Sequence, residues 1–126
     1  MFTKIGTISV GVSDQDKALD FYARSLGSEK RQYSPFGSGG RWVVVVPPGA
    51  ETGFSLLRPV DAQMPEAKIG GFTGINLVTP DIQVLYAELS VRGVQFQGPP
   101  QQMPWGELAA WFADPDGNGF FITQMG

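Results

Sequence analysis

Residues 5–12 alternate: Ile8, Val10 and Val12 point one way and Thr7, Ser9 and Gly11 the other, the period of a half-buried strand. Ser13-Asp14 follows, and the Asp14 carboxylate suits a helix N-cap. Ala18, Leu19, Tyr22 and Leu26 then recur at helical spacing, and Gly27 supplies the stop. Three strand-like runs come next, Glu29–Tyr33, Arg41–Val46 and Gly53–Arg58, separated by Gly- and Pro-rich turns. The apolar run Val43–Val46 stops at Pro47-Pro48 and reads as a buried strand.

The same order then repeats. Residues 74–79 read as a strand, and Pro80-Asp81 opens a helix that carries Val84, Leu85 and Leu89 and closes at Gly93. Val94–Gln97, Leu108–Phe112 and Phe120–Gln124 are strand-like, with a strong turn at Asp114-Pro115-Asp116-Gly117-Asn118. Laying Thr7 on Gly74 also lays Asp14 on Asp81. The 126 residues therefore predict one α+β domain of two βαβββ modules, about 3–60 and about 71–126, joined by a linker at about 60–70.

A βαβββ module covers one sheet face with its helix and must pack the other on something. Two modules are expected to form a curled mixed sheet around a cleft, with the helices on the outer face. Alternation sends Thr7, Ser9, Gly74 and Asn76 to the cleft and Ile8, Val10, Ile75 and Leu77 to the helices. Alternation alone equally fits a sheet whose polar face meets water.

Composition narrows the chemistry. The chain has no Cys and no His, so it offers no thiolate and lacks the commonest transition-metal ligand and general base. Nine Lys and Arg are scattered along a chain of net charge −3, with no basic stripe for a phosphate backbone. Neither nucleic acid nor a membrane is expected as a partner. No apolar run approaches the ~18 residues of a membrane helix, and no secretory signal is visible, so a cytoplasmic protein is expected. Asp14 and Asp81 read as caps and Asp114 and Asp116 as turn residues, which leaves Glu107 as the carboxylate for a cleft mouth. No nucleophile–base pair is visible. The loop Ser34–Gly40 is either a flap or a plain hairpin loop, and it lacks the Lys-Ser/Thr ending of a phosphate loop.

The stretch Ile8–Asp14, with Lys17–Tyr22 and Leu26-Gly27, resembles the opening of vicinal-oxygen-chelate proteins, the glyoxalase, bleomycin-resistance and extradiol-dioxygenase superfamily. Asp81, Gly93–Phe96, Trp105-Gly106 and Phe112–Asn118 resemble its closing module. In metal-dependent members the resemblance implies one ligand seven residues before each capping Asp, here Thr7 and Gly74. It implies another at Ser55 and the last at Phe121, three positions after Asn118. Two hydroxyls, a Gly and a Phe are a poor donor set for a divalent ion. A member without metal or other cofactor is therefore expected.

In this family the strands and loops bordering the cleft would hold Tyr33, Phe36, Trp42, Trp105 and Trp111, although Trp42 and Trp111 serve equally as core. With Thr7, Ser9, Ser55, Leu57, Asn76 and Phe121 they form the expected ligand-binding set. The function expected is metal-independent binding of a partly aromatic small molecule, for antibiotic sequestration or carriage. The alternative is a metal-independent lyase or isomerase that uses Glu107 or Tyr33, and a third reading is a non-catalytic subunit. A homodimer is expected, as in relatives.

Overall fold

The computed structural model describes residues 1–37, 39–61 and 68–124. Ser38 of the Ser34–Gly40 loop and residues 62–67 of the linker lie outside the described residues. The chain divides into two compact units, Met1–Gly70 and Gly71–Gly126. Each is a mixed, open sheet with one α-helix, so the fold is α+β.

The first unit runs β1 (Thr7–Gly11), α1 (Gln15–Asp20), β2 (Glu29–Phe36), β3 (Gly40–Val46) and β4 (Gly53–Leu57). Its strand order is β1-β4-β3-β2, with β1 and β4 parallel and the other pairs antiparallel. Asp14 caps α1 by accepting from the Lys17 amide at 3.0 Å. The helix then widens into a π-helical turn over Phe21–Ser25, where the Leu26 amide reaches back to the Phe21 carbonyl. Gly27, at φ 75°, ends it. Tyr22 is fully buried and meets Phe54 edge-on at 5.9 Å, so the core between helix and sheet is built on Val10, Tyr22, Phe54 and Leu56.

Gln15 holds β3 and β4 together where their own pairing stops. The ladder between them covers Val44–Ser55 and Val45–Phe54. Beyond it, Gln15 Nε2 donates to the carbonyls of Arg41 (2.6 Å) and Leu56 (2.8 Å), and Oε1 accepts from the Arg41 amide (3.0 Å). A buried side-chain amide thus replaces a stretch of ladder and satisfies backbone groups that burial would otherwise penalise.

The segment Ser34–Gly40, either a flap or a plain hairpin loop by sequence, is mostly strand, since β2 continues to Phe36 and β3 begins at Gly40. Asp61 packs against Gly37 and Gly40. Its carboxylate is bound by Arg58 at 2.6 and 2.8 Å, and a Cβ at Gly40 would lie 1.9 Å from Oδ2.

The second unit runs β5 (Gly71–Thr79), α2 (Ile82–Val91), β6 (Gln95–Phe96), β7 (Gln101–Gln102), β8 (Leu108–Ala113) and β9 (Asn118–Gln124). The order is β5-β9-β8-β6, with β7 also on β8, and β5 and β9 run parallel. Asp81 caps α2 through the Val84 amide at 3.1 Å. Rings fill the space between helix and sheet. Tyr86 of α2 meets Phe96 at 4.9 Å, Phe96 meets Phe112 at 5.9 Å, and Phe112 stacks on Phe120 at 5.3 Å. The turn into β9 is tied by Asp114, whose Oδ1 accepts from the amides of Asp116 and Asn118 and whose Oδ2 accepts from Asn118 Nδ2. β5 starts at Gly71, earlier than alternation suggests, and carries a bulge between Phe72 and Asn76 that contains Gly74 at φ 78°.

Candidate functional site

Strand register assigns the faces. In the first unit Ser9 and Val44 both stand opposite Ser55, on the face away from α1. The hydroxyls of Ser9 and Ser55 are 2.9 Å apart. Thr7, opposite Gly53, and Leu57, opposite Gly11, fall on the same face, Thr7 exposed and Leu57 buried. Trp42 lies two residues before Val44 and donates its indole N–H to Gln32 Oε1 at 2.8 Å. Phe36 packs edge-on against it at 5.6 Å. Ser9, Ser55, Trp42 and Phe36 therefore share one surface.

Tyr33 does not join them. A bulge between Lys30 and Gln32 sets Tyr33 opposite Val43, on the α1 side. Regular pairing would have set it opposite Trp42. On the helix side the Arg41 guanidinium lies 5.1 Å from the Tyr33 ring centroid. Arg41 Nη1 donates to the Tyr33 hydroxyl and, at 2.7 Å, to Asp16 Oδ1 of α1.

In the second unit the face opposite α2 carries an aromatic layer. Trp111 pairs with Phe121 across β8 and β9, and their rings stack at 6.3 Å and 24°. Phe72 meets Phe121 at 6.1 Å and is 62% exposed. Beside them Asn76, opposite Phe121, donates Nδ2 to Thr123 Oγ1 at 3.1 Å. Trp105 projects from an exposed loop and donates its indole N–H to Glu107 Oε1 at 2.7 Å. The Gly106 amide donates to the Met103 carbonyl and the Met103 amide to that of Glu107, which closes the loop. Glu107 thus holds an aromatic in place.

Phe72 and Thr123 are absent from the sequence-derived set. The signal was available: counting back by twos from Asn76 reaches Gly74 and Phe72, and forward from Phe121 reaches Thr123. The Gly70-Gly71 pair reads as linker and conceals it.

The four positions that would hold an ion do not fit one. Thr7 and Ser55 supply neutral hydroxyls, and that of Ser55 is engaged with Ser9. Gly74 has no side chain, and Phe121 is packed between Trp111 and Phe72. Among the described residues no three His, Cys, Asp or Glu side chains converge on a point. Hard and borderline divalent ions require such donors.

Residues 4–122 match the model of the Glyoxalase/Bleomycin resistance protein/Dioxygenase superfamily. The chain belongs to this superfamily. Within it, the uncharacterized protein YetH of Bacillus subtilis (strain 168) is 34% identical over 128 residues, covering 98% of this chain and all of YetH. A superfamily member from Sphaerobacter thermophilus DSM 20745, known from its crystal structure, is 46% identical, with a TM-score of 0.91 and 98% of both chains covered. TnmS3, an antibiotic binding protein from Streptomyces sp. CB03234, is 37% identical, with a TM-score of 0.86, covering 99% of this chain and 98% of its own. Superfamily membership thus accounts for the paired strand–helix–strand order. Among the described residues no helix is long and apolar enough to cross a membrane.

Proposed function

We propose that this protein is a metal-independent small-molecule-binding protein that takes a partly aromatic ligand, for sequestration or carriage. The observation that carries the reading is the aromatic layer of Phe72, Phe121 and Trp111, with Phe121 standing where a metal-dependent relative would place a donor. Half-buried rings present large, rigid area to a planar partner at little entropic cost. The Asn76–Thr123 pair at its side offers hydrogen bonds that fix orientation. The likeness to TnmS3 supports the same reading.

No catalytic role is assigned to Glu107 or Tyr33. Glu107 is bound to the Trp105 indole, and Tyr33 is 44% exposed with its hydroxyl on Arg41. The protein acts in this reading as a homodimer, which light scattering at micromolar concentration tests by the mass it returns.

A thermal-shift screen of aromatic antibiotics and metabolites tests the binding reading. A ligand at a hundred times its dissociation constant adds ~2.7 kcal/mol of stability. The expected result is a concentration-dependent rise in Tm, unchanged by EDTA, that Trp111→Leu diminishes. A rise that EDTA abolishes, or one indifferent to Trp111→Leu, would defeat the proposal.

A further inference from the structure

The first unit contains a polar cavity of about 200 Å3 lined by Ser13, Asp14, Gln15, Gly39, Arg41 and Arg58. It is smaller than the ~300–1,000 Å3 clefts that receive drug-sized ligands. Two of its six lining residues are arginines, and both are fixed before any ligand arrives.

Arg41 is held at both ends. Its backbone N–H and C=O are bound by the buried Gln15 amide, and its Nη1 is bound by Asp16 and Tyr33. Its Nε and Nη2 have no protein partner among the described residues, although the side chain is only 27% exposed. Arg58 is fixed by two bonds to Asp61, whose side chain is 1% exposed. Bonding to Asp16 and to Asp61, respectively, raises the pKa of Arg41 and Arg58 above the ordinary value, while the charge of Arg41 pulls that of Arg58 the other way. Two like charges thus belong to the lining of one cavity.

We propose that this cavity binds a small monoanion of the carboxylate class between Arg41 and Arg58. An anion there would offset these like charges and give the unpaired edge of Arg41 the planar acceptor that a guanidinium fork matches. Asp14 sets the charge limit. The residue lines the same cavity and its carboxylate spends Oδ1 on the Lys17 amide, so a second negative charge on the ligand would lie beside a like charge. Size excludes a large molecule, and the polar wall offers an apolar one nothing. This site does not depend on the aromatic ligand proposed above.

The test is an NMR titration of the 15N-labelled full-length protein with sodium acetate, with ionic strength held constant by sodium chloride. The expected result is a saturable shift of the Arg41 and Arg58 Nε–H resonances. Acetamide, of similar shape without the charge, should give none. Arg41→Gln should weaken the acetate response at Arg58 about ten-fold or more, and Arg41→Lys less, because a lone ammonium keeps the charge and loses the fork. A shift that never saturates and is matched by chloride would overturn the site, as would a saturable shift indifferent to Arg41→Gln. If Arg41→Gln does not fold, the Arg41 Nε–H signal of the wild-type protein decides alone, by saturating or not.

Discussion

The indole of Trp111 stacks on the ring of Phe121 at 24° between planes, directly across the β8–β9 pair. The contact joins a β9 position on the face away from α2 to the aromatic layer of that face. Trp111→Leu is expected to lower stability by only ~0.5–1.5 kcal/mol, the worth of an aromatic pair. The same change should weaken the best aromatic ligand from the screen about ten-fold, which costs binding about 1.4 kcal/mol. Urea unfolding and a fluorescence titration measure the two effects separately.

The face assignment in β5 has its own test. Leu77 stands opposite Ile122, on the side of α2, and Asn76 stands opposite Phe121, on the other. Ile75 shares the side of Leu77 and is half-buried. Ile75→Asp should cost ~2–3 kcal/mol by forcing a charge toward the core. Asn76→Asp, at an exposed position, should cost under ~1 kcal/mol. Should urea unfolding show Asn76→Asp as the more damaging, the two faces have been exchanged.

Gly40 faces a wall of carboxylate. Gly40→Ala would set a methyl group 1.9 Å from Asp61 Oδ2, and Asp61 is tied to Arg58. A loss of ~2 kcal/mol or more is expected, in the range of overpacking. Gly6→Ala is the control. Nothing lies within 4 Å of its added Cβ, so it should be near neutral. Equal midpoints for the two variants would show that the Asp61 contact yields freely.

Gln15→Leu keeps the bulk and deletes the amide. The Arg41 amide and two carbonyls would lose their partner inside the fold. We expect ~2–4 kcal/mol of destabilisation, since stranded buried polar groups carry their full desolvation cost. Hydrogen exchange should show the Arg41 amide opening well before that of Val45. Exchange at the wild-type rate would mean that water replaces the Gln15 amide without loss.

Asp114→Asn is a stringent test of the last turn. Oδ1 accepts from two backbone amides and Oδ2 from the Asn118 side chain, so the carboxylate meets at least three donors. A carboxamide must aim its own N–H groups at one of them. The variant should lose ~1–3 kcal/mol, as for an unmade buried hydrogen bond. Thermal unfolding with an unchanged Tm would refute the reading.

Features set by neighbouring residues were legible in the sequence. The caps at Asp14 and Asp81, the stops at Gly27 and Gly93 and the Asp114–Asn118 turn are local bargains between a side chain and the backbone beside it. The alternation of Ile8, Val10, Phe54 and Leu56 matches the register because a one-residue slip would expose the core. What escaped depends on distant pairing. The β2 bulge that turns Tyr33 toward α1 exists only against β3, and the two-residue β7 only against β8. The cavity near Arg41 and Arg58 is gathered from three separate stretches of chain, with no motif to announce it.

Gly74 sets a backbone condition on what its position in β5 can carry. Its Cα sits in a left-handed conformation inside a bulge, with open space around it. Any L side chain there, a metal-binding one included, starts with a penalty of ~1–2 kcal/mol before it touches an ion. The kink therefore works as a filter on side chains: a donor introduced at position 74 would be held in the bulge's geometry unless β5 first straightened.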